Sequence, residues 1–353
     1  MIKYNHMKKV FLAIAAVAAL AACSKSDVEY AQTGEISFVP VAKNMTKSMM
    51  TGTTFQASES FNVWAWYNQT DDNTPVADWN TDTDKYYFEE ATFVNREGTS
   101  WGGATPYYWP KVGSLLFAGY YPVEAADKAS YVFDGETNQM VFTGYEQSEV
   151  AETGYTEDLM YFNMTENSRN SGPVAVVFKH ALSWVTVNLA RTSDNPADDE
   201  GNVPQYPEIK VNSVTFTNVN PEGTGTVVGT DGDITWTLTG TPDNTVVTPA
   251  EGVVLEAAPQ TQTEPLFIPQ VFTEDMELQV NYTISSSATE SFSETYTVAL
   301  KGMNGTEGEK AVTVNSWEDA KHYIYNITIG IEEILVEPTV ADWTPVTVPV
   351  PIP

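Results

Sequence analysis

In "LQVNYTI", Leu278 to Ile284, every second residue is apolar: Leu278, Val280, Tyr282 and Ile284 alternate with Gln279, Asn281 and Thr283. A period of two places the apolar set on one face of an extended chain and the polar set on the other, which is the pattern of a half-buried β-strand. The run after it repeats the pattern with Tyr296, Val298 and Leu300. Tyr323, Tyr325, Ile327 and Ile329 do so again, as do Phe61, Val63, Ala65 and Tyr67 near the other end. Between such runs lie turn-rich stretches, "NQTDDNTPVADWNTDTD" (68–84), "TSDNPADDEGNVPQYP" (192–207) and "VGTDGDITW" (228–236), the last with an Asp-Gly pair suited to a hairpin. Beyond residue 22 no stretch of useful length carries apolar residues at i, i+3, i+4 and i+7, so helices are not expected. Strands at intervals of about ten residues joined by such turns predict an all-β chain of β-sandwiches.

The chain has 353 residues, 47 of them acidic and 17 basic, for a net charge of −30. Such a surface repels phosphate backbones and anionic headgroups, so neither nucleic acid nor peripheral docking on a membrane is expected. The length suffices for two domains, each with its own core. "NMTENSRNSGP", Asn163 to Pro173, is polar, ends in Gly-Pro, and divides an aromatic-rich first half from a half rich in Thr and Val. It sets the expected units at 36–168 and 172–353.

Cys23 is the one cysteine, so no intramolecular disulfide is possible. Before it stand Lys8 and Lys9 and then an apolar run from Val10 to Leu20, too short to span a bilayer, which reads as a secretory signal over 1–22. Its n-region takes a more typical form if counted from Met7. The signal carries three lysines and no acid, so its loss moves the net charge from −30 to −33. The segment ends Leu20-Ala21-Ala22-Cys23, which resembles the bacterial lipobox. By that resemblance the thiol is acylated and the chain is cut before Cys23, giving several acyl chains that together anchor stably, at roughly 0.8 kcal/mol per buried methylene.

Motifs of catalysis are scarce. His180 and His322 are the histidines after the signal, and neither sits in a catalytic pattern. The chain has no G-x-S-x-G, H-E-x-x-H, P-loop or G-x-G-x-x-G. His180, at a bend between two apolar runs, reads as a packed or hydrogen-bonded structural residue. Asp78, Asn80, Asp82 and Asp84 alternate as calcium ligands do, but Thr83 stands where an EF-hand loop has glycine and no glutamate follows at the twelfth position. They read as a solvated loop, and no metal or cofactor is expected. Trp64, Trp66, Trp79, Trp101, Tyr107, Tyr108 and Trp109 cluster in the first half. Exposed on one platform they would stack on sugars, as in a surface glycan-binding lipoprotein; packed inward they fill a sandwich. Because Trp64 and Trp66 lie opposite Phe61, Val63 and Ala65, one set needs cover from outside its own sheet.

The chain ends "TVADWTPVTVPVPIP", extended from Thr339, with three prolines in the last five residues. Prolines cannot donate to a β-ladder, so this end reads as a poor central strand, in need of an edge or groove.

In order along the chain, "LAAC", "ISFVP" (36–40), "TGTTFQASESFNVWAWY" (51–67), "WGGATPYYWP", "LLFAGYYP", "DLMYF", "VVFKHALSWVTVNL", "EIKVNSVTFTNV", "PLFIPQ" and "WEDAKHYIYNITI" with Trp343 beyond it resemble the fimbrillins, subunits of the type V pili of Bacteroidia. The resemblance implies two transthyretin-like β-sandwiches in tandem and export as an outer-membrane lipoprotein. It also implies a surface protease that removes an N-terminal segment with its first strand, and other fimbrial subunits as partners through strand exchange. On this sequence Cys23 is then the lipidation site, and 23–54 holds the lipidated segment. Ile36, Phe38, Val39 and Val41 belong to the released strand. The donor lies in Thr339–Pro353, with Val340, Trp343, Val346, Val348, Val350 and Ile352 its apolar residues. The first arginine is Arg96, so the expected cut falls at Lys47, with Lys43 second, before Phe55.

Overall fold

The computed structural model describes residues 34–42, 55, 57–68, 86–97, 100–110, 114–127, 129–135, 137–147, 158–167, 173–192, 207–262, 264–330 and 334–342. Its first strands in chain order are β1 (Ser37–Ala42), β2 (Ser60–Asn68), β3 (Tyr86–Glu97), β4 (Ser100–Gly103), β5 (Ser114–Tyr121), β6 (Ser130–Asp134), β7 (Gln139–Glu146), β8 (Met160–Asn167) and β9 (Val174–His180). There follow β10 (Ser183–Arg191), β11 (Glu208–Val219), β12 (Glu222–Val228), β13 (Ile234–Leu238), β14 (Asp243–Val246), β15 (Val253–Val254), β16 (Gln260–Thr261), β17 (Leu266–Phe267) and β18 (Gln270–Val271). The last are β19 (Glu277–Ser285), β20 (Ser291–Ala299), β21 (Met303–Glu307), β22 (Lys310–Val314), β23 (Ser316–Trp317), β24 (Lys321–Ile329) and β25 (Ile334–Asp342). The one helical element described is the 3-10 turn Val123–Asp127. The all-β expectation holds, and the four runs with period two are β2, β19, β20 and β24.

The first sheet is a closed barrel in the order β1-β4-β3-β2-β5-β8-β9. Its interior holds Phe38, Phe61, Val63, Ala65, Phe93, Phe117, Phe162 and Phe178. The other face of β2 sends Trp64 and Trp66 into a second core with Leu116, Phe133, Met140 and Phe142, beneath the sheet β13-β12-β7-β6. The cover that the alternation of β2 required is therefore present. That sheet takes two strands from each half of the sequence, pairing β12 with β7 from Glu222↔Glu146 to Val228↔Gln139. A third core lies between the sheet containing β10, β24 and β25 and the sheet containing β11 and β19, filled by Val187, Phe216, Val280, Trp317 and Tyr325 among others.

Two boundaries differ from the sequence reading. Asn163 lies within β8, and β9, which the expected division at 168 and 172 gives to the second unit, belongs to the barrel of the first. The Gly-Pro at 172–173 marks the connection from β8 back into β9, which pair antiparallel at Met160↔His180 and Tyr161↔Lys179. A polar stretch ending in Gly-Pro looks the same whether it joins two strands or two domains.

Candidate functional site

β1 closes the barrel. It runs parallel to β9 from Phe38↔Val174 to Ala42↔Phe178, and antiparallel to β4 at Ser37↔Gly102 and Phe38↔Trp101. Ile36, Phe38 and Pro40 alternate inward and are buried, while Ser37 and Val39 are half-buried. Val41 stands opposite Val177. Ile36 N–H donates to the Tyr107 carbonyl at 2.7 Å, and Trp109 N–H donates to the Gly34 carbonyl at 2.6 Å, which fixes the entry to the strand.

The Phe38 ring is the hub of the barrel interior. It lies 4.8 Å from Phe93, 5.1 Å from Phe117, 6.1 Å from Phe61 and 6.2 Å from Phe162, centroid to centroid. Edge-to-face contacts of this kind add about 0.5–1.5 kcal/mol per pair to the burial of the ring. Phe55 is held separately, 4.8 Å from Phe178 and 5.2 Å from Tyr121. Both strands bonded to β1 are remote from it in sequence, and among the described residues no sequence neighbour pairs with it.

The sequence-predicted donor falls in two parts. Val340 is in β25, opposite Tyr323, and is buried in the third core. β25 is not an edge: it pairs antiparallel with β24 from Lys321↔Asp342 to Ile329↔Ile334 and parallel with β21 at Thr306↔Thr339 and Glu307↔Val340. Lys321 clamps its end, donating to Asp342 Oδ1 at 2.6 Å and to Glu307 Oε1 at 2.9 Å, and these carboxylates raise the lysine pKa. The expectation that the chain from Thr339 makes a poor central strand is thus corrected as far as Asp342. The prolines that motivated it begin at Pro349. Trp343, Val346, Val348, Val350 and Ile352 lie outside the described residues. So do Cys23, Lys43, Lys47, Trp79 and the acidic residues Asp78 to Asp84.

Both histidines are buried and have polar partners within the fold. His180 Nδ1 lies 3.0 Å from Asp158 Oδ1 with both side chains buried, tying the end of β9 to the segment before β8. The ring of His322 stacks on Trp184 at 3.5 Å, and its Nε2 lies 2.8 Å from Thr186 Oγ1, which donates to Glu264 Oε1 at 2.7 Å. Burial lowers the His322 pKa to about 3 and raises that of Glu264, so the imidazole is neutral near pH 7. Among the described residues no group of three or more His, Cys, Asp and Glu is placed to hold a metal ion.

The aromatic cluster does not form an exposed platform. Trp64, Trp66 and Trp101 are buried in the cores, Tyr107 and Trp109 are half-buried, and of the described members Tyr108 alone is exposed. What distinguishes this chain is therefore a barrel sealed by one N-terminal strand. The sequence profile of fimbrillin-like proteins matches residues 46–343. The chain belongs to the fimbrillin-like family. Its fold is similar to that of a Bacteroides uniformis protein assigned to cell adhesion, with TM-score 0.51 and 18% identity, covering 88% of this chain and 100% of that one. A Bacteroides ovatus protein with the same assignment gives TM-score 0.50 and 14% identity over 88% of this chain and 97% of that one. A fimbrial protein from Bacteroides vulgatus gives 0.50 and 17% over 87% and 99%. No curated protein matches the chain. Family membership supports a structural subunit of cell-surface fimbriae that assembles with other subunits.

For this fimbrillin-like chain the two strands that flank β1 went unread in the sequence. β9 reads as an apolar strand like any other in "PVAVVFKH", and β4 is four residues long. Only the register with β1 gives either strand a part in closing the barrel.

Proposed function

We propose that the chain is a strand-exchanging fimbrial subunit. It reaches the outer membrane as a lipoprotein acylated on Cys23, is opened by a surface protease cutting after Lys47 or Lys43, and is joined to another subunit by the chain beyond Asp342. The observation that carries this reading is the place of β1: it seals the barrel through β9 and β4, both remote in sequence, and is joined to β2 by a stretch whose sequence holds both lysines.

The physics of release and replacement is coherent. Once the backbone is cut, β1 is held by noncovalent contacts alone. Its departure strips partners from the edges of β4 and β9 and uncovers Phe61, Phe93, Phe117 and Phe162. A bare apolar edge is a template for another strand, and each buried backbone group left unpaired costs about 1–3 kcal/mol. A second extended segment satisfies these groups together, and the joint is long-lived for the same reason. Arg96 is an unsuitable cutting point, since it lies within β3 of the barrel.

The donor begins at Trp343 rather than at Thr339. Borrowing Val340 would pull β25 from between β24 and β21 and open the donor's own third core.

The test is a chain with Lys43→Gln and Lys47→Gln together, produced in the cells that assemble it. The reading expects a lipidated, uncut monomer retained at the membrane. Assembly at the wild-type level would overturn it.

A further inference from the structure

We propose that the incoming tail, residues 343–353 of a neighbouring copy, lies antiparallel to β9, opposite in direction to the strand it replaces, and bonds along one edge only. This rests on the exchange reading above and deepens it.

In an extended chain, successive residues send their side chains to opposite faces and their backbone N–H and C=O groups to opposite edges. For a given direction of travel, face and edge are therefore locked together. In β1 the inward residue Ile36 sends its N–H to Tyr107, on the β4 side. Pro40, also inward, has no N–H, so the parallel ladder at Pro40↔Val176 runs through the backbone of Val39 and Val41. Inward residues of β1 thus face the β4 edge, and outward ones face β9. The two edges are unequal: the register with β9 runs unbroken from Phe38 to Ala42, while the other edge pairs with β4 at Ser37 and Phe38 and beyond that through the isolated bridge Glu35↔Tyr108.

The tail has a matching asymmetry. Pro345, Pro349, Pro351 and Pro353 share one parity, and Val346, Val348, Val350 and Ile352 share the other. When the tail is extended, the prolines all fall on one edge, where from 345 onward Thr347 alone has an N–H. The valine parity keeps every donor on the opposite edge. Such a strand pairs fully on one side and hardly on the other, which is what the slot between β9 and β4 asks for.

The faces fix the direction. The slot vacated by Ile36 and Phe38 is apolar, so the valines and Ile352 turn inward and the prolines turn out, beside the exposed Ala175 and Val177. The inward residues must then bond β9, the reverse of the pairing of face and edge in β1. Only a strand running the other way presents it. Antiparallel pairing is also slightly more stable per residue than parallel pairing, so the replacement favours the assembled state.

The experiment uses the full chain assembled on its native cells, with one cysteine on the outward face of β9 at Val177 or just before that strand at Pro173, and one at each odd position of the tail from Pro345 to Pro353. Disulfide-linked multimers are read on non-reducing gels, with the wild-type chain and its single Cys23 as background. Moving the acceptor cysteine from Val177 to Pro173 is expected to shift the preferred tail partner about four residues toward the C-terminus, whatever the register. A shift toward the N-terminus overturns the direction and leaves strand exchange standing. Multimers with no link at any pair overturn the exchange reading itself and this inference with it. The one-edged bonding has its own test, because Val348→Pro removes a donor from the bonding edge and Thr347→Pro does not. Loss of multimers with the first and wild-type levels with the second are expected, and equal effects overturn it.

Discussion

Phe38 concentrates the consequences of the fold in one side chain. Its ring meets four phenylalanines inside the barrel, so Phe38→Ala is expected to destabilise the uncut chain by about 3–5 kcal/mol, read as a shift in denaturant midpoint. On the proposed release of β1, the same substitution should leave processed, assembled subunits unchanged, because the residue would depart with that strand. His322 gives a second prediction at this scale. Its folded pKa, about 3, lies below the ordinary histidine value near 6.5, so the folded state binds fewer protons than the unfolded state between them. Its contribution is complete above pH 6.5 and is lost as the pH falls, by up to about 1.4 kcal/mol per pH unit. Glu264, joined to it through Thr186, opposes this, since its raised pKa favours the protonated, folded form. His322→Gln should therefore flatten the loss of thermal stability between pH 6.5 and pH 4, and an unaltered pH profile would contradict the assignment.

Among the elements, β25 decides where the tail starts. Deleting Trp343–Pro353 removes no described strand, and the product is expected to fold with wild-type stability and fail to assemble. Deleting from Thr339 removes Val340 and Asp342, breaks the clamp on Lys321, and should lower thermal stability markedly as well. Circular dichroism melting separates the two truncations. The elements also show what the sequence could carry. Alternation announced β2, β19, β20 and β24, because a half-buried strand is written in its own residues. The opposed faces of β2, Phe61 and Val63 against Trp64 and Trp66, announced a second layer. Pairing between distant strands left no such trace. β25 carries the Val- and Pro-containing sequence of an unpaired tail and yet lies mid-sheet, since Pro338 is its one proline. β9 was assigned to the wrong unit because its partner β1 lies more than a hundred residues earlier.

Across the molecule, the barrel and the third core differ in how they are closed. The third core is closed by β24 and β25, a local pair joined through a short connection. The barrel is closed by a strand whose neighbours in space lie far along the chain, so the proposed cut in the stretch after it would leave β1 joined to the rest by noncovalent pairing alone. The sheet β13-β12-β7-β6 links the two halves, and its pairings do not involve β1. Release of β1 is therefore expected to preserve the second and third cores, which gives an opened subunit that stays folded while it waits for its partner. The proposed lipidation at Cys23 fits the same scheme, since the proposed anchor and β1 lie on one side of the proposed cut and would leave together.

The most direct test is the N-terminal sequence and intact mass of subunits sheared from the cell surface as polymer. The account predicts a chain beginning at Ser48, or at Asn44 if Lys43 is used, with no acyl group and no β1. Polymerised subunits that still begin at an acylated Cys23 would contradict it.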